Sequence, residues 1–126
     1  LIWDKKNDGF SFADGEMAWT SFDTAVRFFR YHRGQQTDKR IHPTQTPVKM
    51  LGEIITDHIK GNIIFDGFWW SGSTMVACHQ LNRKCYMSEL DPKYVQTIIN
   101  RMIKLDSTLE IKRNWVPYNN SNVTVK

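Results

Sequence analysis

The stretch NIIFDGFWWSGSTMVACHQL, residues 62–81, decides the fold. Residues 62–66 form a short apolar run that predicts a β-strand, and residues 72–81 have the pattern of a helix. A second short strand is expected at 84–89. Strand, helix and strand in this order predict a right-handed βαβ unit with parallel strands. The ligands of such units bind beyond the carboxyl ends of the strands.

The turn at 67–71 has the place of a nucleotide-binding loop, but two tryptophans stand where small residues are expected. Backbone N–H groups at the helix start near Gly72 can bind an anionic or polar ligand. Glu89 ends the second strand, where an acid can accept hydrogen bonds from ribose hydroxyls. A surface acid beside a helix cap at Asp91 is the equal alternative. The sequence contains neither GxGxxG nor GK[ST], which argues against dehydrogenase and P-loop functions.

Two other helices have clear start signals. Thr46 and Pro47 predict an N-cap followed by proline at the first helical position. Apolar residues then recur at helical spacing, and Gly61 predicts the end of that helix. Asp91 and Pro92 repeat the start signal, and the pattern continues to about residue 104.

The remaining segments are shorter. Residues 1–5 and 25–31 are expected to form strands, and 8–16 a loop rich in turn residues. Residues 32–40 are polar. The tail at 105–126 contains one possible strand.

Length and composition bound the class of protein. A chain of 126 residues with 40% hydrophobic residues fits one domain with a packed core. It shows no membrane span and no signal-peptide pattern, and without an initiator methionine it is expected to begin inside a longer protein. The two cysteines have neither metal nor redox spacing, so core cysteines and a cytoplasmic location are expected.

A basic segment follows the second strand. The net charge is +4, and the segment from Arg27 to Arg40 interleaves aromatic residues with basic ones. Such a stretch can contact nucleic-acid phosphates and bases; a solvated strand end and loop is the alternative. The basic residues are Arg27, Arg30, Arg33, Lys39 and Arg40.

Three motifs in order resemble one family. RIHPTQTPVKML (40–51), FDGFWWSGSTMVACHQL (65–81) and CYMSELDPKYVQTIINR (85–101) are similar to the C-terminal half of β-class DNA amino-methyltransferases, the adenine-N6 and cytosine-N4 methylases with permuted motifs. Residues 1–31 resemble the preceding region of prophage-type members. The resemblance implies an α/β, Rossmann-like S-adenosylmethionine-dependent methyltransferase fold, of which this chain is the C-terminal portion.

The resemblance also implies roles by position. HPTQTPV corresponds to the helix start beside the methionine end of S-adenosylmethionine, FWWSG to the cofactor loop, and Glu89 to the acid that holds the ribose. Core packing is the alternative for apolar matches such as Phe68. The implied cofactor residues are His42, Pro43, Thr44, Gln45, Pro47, Asp66, Phe68, Ser71, Gly72, Ser73, Thr74 and Glu89.

Three departures from the family pattern matter. Thr46 replaces a lysine, and Trp70 replaces the first glycine of the cofactor loop. A bulky residue there is expected to weaken cofactor binding, because it resists a left-handed backbone and can occupy ligand volume. The catalytic Asp/Asn/Ser-Pro-Pro-aromatic motif is absent, and Asp91-Pro92-Lys93 is not a version of it. No catalytic residue and no metal site are therefore expected in this chain.

The resemblance implies an organisation and partners. Residues 1–31 would form a distal hairpin and base-pocket wall, 32–41 a short target-recognition loop, 42–104 the cofactor half and 105–126 a tail. The central strands and the catalytic motif would come from a missing N-terminal segment or a second chain. Expected partners are double-stranded DNA and, as a further possibility, a second copy, in a restriction-modification or prophage setting. The alternatives are a degenerate remnant that acts as a DNA-binding or structural subunit, and a basic nucleic-acid-binding module without cofactor.

Overall fold

The computed structural model describes residues 1–9, 11, 13–32, 45–68 and 71–118. The chain divides into two compact units, Leu1–Glu89 and Leu90–Lys126. The first contains strands β1 (Ile2–Asp4), β2 (Gly15–Met17) and β3 (Phe28–Arg30), helix α1 (Val48–His58), strand β4 (Ile63–Asp66), helix α2 (Ser73–Gln80) and strand β5 (Lys84–Met87). The second contains helix α3 (Pro92–Leu105) and strands β6 (Lys112–Arg113) and β7 (Val116–Pro117). The single-domain organisation expected from the sequence stays a prediction.

Strands β4 and β5 form the expected βαβ unit with α2. They pair in parallel, from Ile63 opposite Lys84 to Asp66 opposite Met87. Because successive side chains of a strand point to opposite faces, Ile64 packs into the core while Phe65 on the other face is 73% exposed. The prediction of a parallel βαβ unit from residues 62–89 is confirmed.

Helix α1 packs against α2 and supplies two hydrophobic clusters. Ile55 belongs to an aliphatic cluster with Ile64, Ala77 and Cys78. Met50, from an earlier turn of the helix, belongs to an aromatic cluster with Trp3 and Phe29. Helix α1 therefore joins the βαβ unit to the sheet that contains β1 and β3.

The ends of α1 differ from the sequence expectation. The N-cap residue is Pro47, with an extended backbone (φ −60°, ψ 125°) and no side-chain cap hydrogen bond. Thr46 therefore lies one residue too early to cap the helix, and that prediction was wrong. At the other end the helix stops at His58, and Arg83 donates hydrogen bonds to the carbonyl oxygens of Ile59 (3.0 Å) and Gly61. The predicted glycine stop at Gly61 was wrong: Ile59, with an extended backbone, ends the helix, and Gly61 does not have the left-handed conformation of a glycine cap.

The N-terminal sheet has the order β2-β1-β3. Strand β1 pairs with β2 antiparallel and with β3 in parallel. The expected hairpin between residues 1–5 and 25–31 was therefore wrong: β2 reverses the chain first, and β3 then runs alongside β1. Residues 15 and 16 of the predicted loop belong to β2. A Cβ at Gly15 would lie 2.8 Å from the Trp3 carbonyl oxygen, so this close strand approach needs glycine.

Strand pairing does not join the N-terminal sheet to the β4–β5 sheet. Strand β3 pairs with β1 and β4 pairs with β5, and the sheets that the structure describes share no strand. A direct pairing of residues 25–31 with 62–66, which would close one continuous sheet, is not formed. Each of these two strands thus keeps one edge without a strand partner among the described residues.

Unit Leu90–Lys126 begins with a capped helix. The Asp91 side chain accepts a hydrogen bond from the Lys93 backbone N–H (2.9 Å), and Pro92 takes the first helical position. Both features were predicted, and the helix end at Leu105 is within one residue of the expected one. The tail contains an antiparallel hairpin of β6 and β7, where the sequence had predicted one possible strand. None of the helices in the described part of the chain is long and apolar enough to span a membrane.

Candidate cofactor-binding site

The carboxyl ends of β4 and β5 form one polar edge. Asp66 and Met87 are paired at the ends of the two strands. Beyond them, the Ser88 backbone N–H donates to the Asp66 carbonyl oxygen (3.1 Å), and the Ser88 hydroxyl donates to the Gly67 carbonyl oxygen (3.0 Å). These bonds join the turn after β4 to the turn after β5. Glu89 follows directly, so both candidate acids lie at the same edge of the sheet.

The start of the β4–α2 turn projects an aromatic ring outward. The Asp66 Oδ1 atom accepts a hydrogen bond from the Phe68 backbone N–H (3.0 Å), a local turn that aspartate favours. The Phe68 side chain is 84% exposed. Core packing, the alternative considered for Phe68, is therefore wrong. Trp69 and Trp70, which follow, lie outside the described residues.

The end of the turn brings the backbone into α2. Gly72 has a left-handed conformation (φ 71°, ψ 19°), which glycine adopts without steric cost. Ser71 and Ser73 on either side are buried, with their hydroxyl oxygens 3.1 Å apart. Helix α2 begins at Ser73, with half-buried Thr74 in its first turn. The first N–H groups of α2 give this end of the turn a partial positive charge.

Two cysteines lie behind this edge. Cys78 of α2 is completely buried, and Cys85 of β5 packs against the same cluster. Burial, and then the neighbouring Cys78, raises the pKa of the Cys85 thiol to about 12. Burial also raises the pKa of Cys78. Both thiols are therefore protonated at neutral pH, which supports the interpretation of core cysteines.

The HPTQTPV segment is described only from its fourth residue. Gln45 and Pro47 are buried at the entrance to α1. His42, Pro43 and Thr44 lie outside the described residues, so their role in cofactor binding stays a prediction.

The predicted DNA surface is described in part. Arg27 and Arg30 are exposed, and the Arg30 Nε atom lies 3.3 Å from Asp4 Oδ2 in a surface ion pair. Arg33, Lys39 and Arg40 lie outside the described residues. The clustering of these five basic residues stays a prediction.

Ser88 is the residue of this edge that the sequence reasoning missed. Its two hydrogen bonds determine how the turns meet. The signal in the sequence was weak, because a serine between a strand and an acid is common. Only the strand register shows that it lies opposite Gly67.

The comparisons with known proteins place the chain in a family. Residues 2–101 match the family model of the N6/N4 DNA methylases. The match covers most of the 126 residues, and the chain belongs to this DNA methylase family. The resemblance to amino-methyltransferases is thereby confirmed.

Two relatives illustrate the match. The chain is 35% identical over 68 residues to the type II methyltransferase M.BglII of Bacillus subtilis, over 53% of this chain and 19% of that protein. It is also similar to the crystal structure of the M1.HpyAVI–SAM complex, with a TM-score of 0.63 and 24% identity, over 81% of this chain and 60% of that one. This likeness confirms the α/β methyltransferase fold class. The matched region is about a fifth of the length of the Bacillus relative.

Proposed function

We propose that this chain is the cofactor-binding portion of an S-adenosylmethionine-dependent DNA methyltransferase that acts on the exocyclic amino group of adenine or cytosine. The observation that carries the proposal is the β4–β5 edge. There an exposed aromatic ring, a left-handed glycine before a helix and two acids meet, with their turns joined by Ser88. Family membership supports the same function.

The residues at the edge fit the chemical groups of the cofactor. Glu89 would accept hydrogen bonds from the ribose hydroxyls, and the exposed Phe68 ring would pack against the adenine. Gly72 and the N-terminus of α2 would allow a polar group to approach the backbone closely. When bound, the cofactor supplies an electrophilic methyl group carried on sulfonium.

The second half of the reaction needs groups that these 126 residues lack. An exocyclic amine is a weak nucleophile, because its lone pair is delocalised into the ring. A carboxylate or amide and a backbone carbonyl must accept its hydrogens, and an aromatic ring must stack on the flipped base. The Asp/Asn/Ser-Pro-Pro-aromatic motif that does this is absent from the sequence.

A segment N-terminal to this chain, or a second chain, is proposed to supply the motif together with the central strands. Two observations support this: β3 and β4 each have an edge without a described strand partner, and the match covers 19% of the Bacillus relative. A second copy of the chain is the other candidate partner for these strand edges. Double-stranded DNA is the proposed substrate, and Arg27 and Arg30 are the proposed contacts that lie among the described residues.

Trp70 favours one alternative: a degenerate remnant that acts as a DNA-binding or structural subunit. If the turn needs a left-handed residue at this position, a bulky side chain costs roughly 1–2 kcal/mol. An indole in the cofactor volume would cost more. The proposed consequence is a cofactor site with the family fold and weakened affinity.

Calorimetry with S-adenosylmethionine on the full-length protein tests both functions. Glu89→Ala should weaken binding about tenfold or more, because hydrogen bonds to a charged acceptor are lost. Trp70→Gly should strengthen binding. Asp57→Ala, which removes an exposed acid of α1, is the matched control and should change nothing.

The outcomes separate the candidates. Tight binding that Trp70→Gly does not improve would contradict the proposed weakening. Absence of S-adenosylmethionine binding in both the natural protein and the Trp70→Gly variant would favour the degenerate subunit. DNA binding that depends on salt but not on cofactor, with no cofactor affinity, would indicate a simple nucleic-acid-binding module.

A further inference from the structure

The β6–β7 hairpin has an unusual residue at its tip. Arg113 pairs with Val116, so Asn114 and Trp115 form a two-residue turn. Both have positive φ, 51° and 68°, as the tight turn of such a hairpin requires. Asparagine and glycine tolerate this conformation, whereas tryptophan does so poorly. A bulky residue thus occupies a backbone position that glycine would fill with less strain.

The indole at this position makes little contact within the chain. Trp115 is 93% exposed, and Val116 beside it is 63% exposed. By contrast, the base of the hairpin is attached: the Tyr118 backbone N–H donates to the Ile111 carbonyl oxygen (2.8 Å), and the Tyr118 hydroxyl lies 3.5 Å from Gln96 Oε1 of α3. A tethered base and an exposed aromatic tip suit contact with another molecule.

The charges around the hairpin tip indicate which kind of molecule it contacts. Lys112 and Arg113 precede the turn, and both are exposed. Lys112 forms a surface ion pair with Glu110 (3.0 Å). Arg113 has no ion pair within the described part of the chain, so its guanidinium is available for a phosphate. Cations beside an exposed aromatic ring match a polyanion whose grooves present sugars and base edges.

We propose that the β6–β7 hairpin is a DNA-contacting element of this protein. Arg113 and Lys112 bind backbone phosphates, and Trp115 at the tip contacts the bases or sugars. A two-stranded ribbon fits the width of the major groove. This surface is separate in sequence from the basic segment at 27–40. The proposal rests on the proposed function only because it takes DNA as the partner.

The test measures binding of the full-length protein to a fluorescently labelled DNA duplex across a salt series. Trp115→Gly should weaken binding about tenfold, because the contact of the indole with sugars and base edges in the groove is lost. Because glycine suits the left-handed turn, this variant should keep or raise the melting temperature. Arg113→Ala should lower the slope of log affinity against log salt by about one.

Matched controls come from the same chain. Trp19 is 92% exposed but has no basic neighbour in sequence, so Trp19→Gly should leave DNA affinity unchanged. Lys60→Ala removes an exposed cation elsewhere and should leave the salt slope unchanged. Cofactor binding, measured separately, should be the same in all four variants.

The results have distinct meanings. DNA binding by the natural protein that Trp115→Gly and Arg113→Ala leave unchanged would overturn the hairpin proposal and leave the proposed function standing. A Trp115→Gly variant that changes the oligomeric state but not DNA affinity would overturn it in favour of self-association. A natural protein that binds no DNA would overturn both.

Discussion

Helix α1 has a different kind of core on each side. Toward β4 and α2 it packs Ile55 against aliphatic and sulfur-containing side chains. Toward the N-terminal sheet it packs Met50 against Trp3 and Phe29, and here hydrogen bonds accompany the packing. Trp3 donates its Nε1–H to the Tyr31 carbonyl oxygen (2.9 Å), and the Tyr31 hydroxyl donates to Glu53 of α1.

The difference shows how two parts of one unit can be positioned by different forces. Non-directional packing holds α1 against the βαβ unit, so the density of that core determines how α1 lies beside the candidate cofactor-binding edge at the ends of β4 and β5. Directional hydrogen bonds hold the end of β3, so the geometry of a few polar groups determines where the chain leaves this strand. Substitutions on the βαβ side should therefore destabilise the protein mainly through lost packing, and substitutions on the β3 side also through lost hydrogen bonds.

The largest effect is expected from truncation in the aliphatic cluster. Ile55 is 3% exposed, and Ile55→Ala should lower the free energy of unfolding by ~4 kcal/mol, because buried contacts are lost and a cavity remains. Met50→Ala should cost less, ~2 kcal/mol, since the outer face of the N-terminal sheet is open and that site can relax. Urea unfolding of both variants measures this. An equal or larger loss for Met50→Ala would contradict the comparison.

The next effect tests the polar contacts of the aromatic cluster. Trp3→Phe should lower the free energy of unfolding by ~2 kcal/mol, because the Tyr31 carbonyl loses its donor and the ring becomes smaller. The Lys5 ammonium, 5.1 Å from the Trp3 ring centroid, loses part of a cation–π contact. Thermal unfolding checks the result. Trp19→Phe, at a 92% exposed position, is the control and should be nearly neutral.

A smaller effect is expected at the Tyr31–Glu53 hydrogen bond. Tyr31→Phe should cost ~1 kcal/mol, since a charge-assisted hydrogen bond is lost at a partly solvated site. Glu53→Gln should cost less, because the amide can still accept. A double-mutant cycle of Tyr31→Phe with Glu53→Ala, in which neither single variant keeps the bond, gives the coupling energy of the pair. A coupling of zero would show that the Tyr31–Glu53 hydrogen bond does not help to hold the end of β3 against α1.

The smallest effect on stability at neutral pH comes from two side chains with raised pKa values, Cys85 and Tyr31, one on each side of α1. Both titrate only in alkali. Burial raises the pKa of Cys85 from 9.0 to about 12, and burial with the Glu53 hydrogen bond raises the pKa of Tyr31 from 10.0 to about 12. Between these values the unfolded chain has released a proton that the folded protein keeps. Stability is therefore complete below about pH 9 and falls as the pH rises toward 12.

The two titrations can be separated by substitution. Cys85→Ala should reduce the part of the loss that begins near pH 9.0, and Tyr31→Phe the part that begins near pH 10.0. Unfolding midpoints in denaturant from pH 7 to 11 measure both. A stability that is constant over this range in the natural protein would contradict the raised pKa values.

Features determined by neighbouring residues were predictable from the sequence. Asp91 and Pro92 start α3 as expected, because an aspartate cap and a proline need only the next two residues to act. The start of α2 next to Gly72 has the same local character. Asp66 and Glu89 were named as candidate cofactor residues from the family resemblance, and the parallel register of β4 and β5 brings the ends of their strands together.

Tertiary structure alone decided the features that depend on distant partners. Strand β2 is short and exposed and has no strand pattern, and it forms because Gly15 lets its backbone approach Trp3. The parallel pairing of β1 and β3 depends on this intervening strand. Arg83, from the turn before β5, binds the carbonyls beyond α1. Local signals specify where an element can begin, whereas strand pairing and long side chains determine where it ends and what it meets.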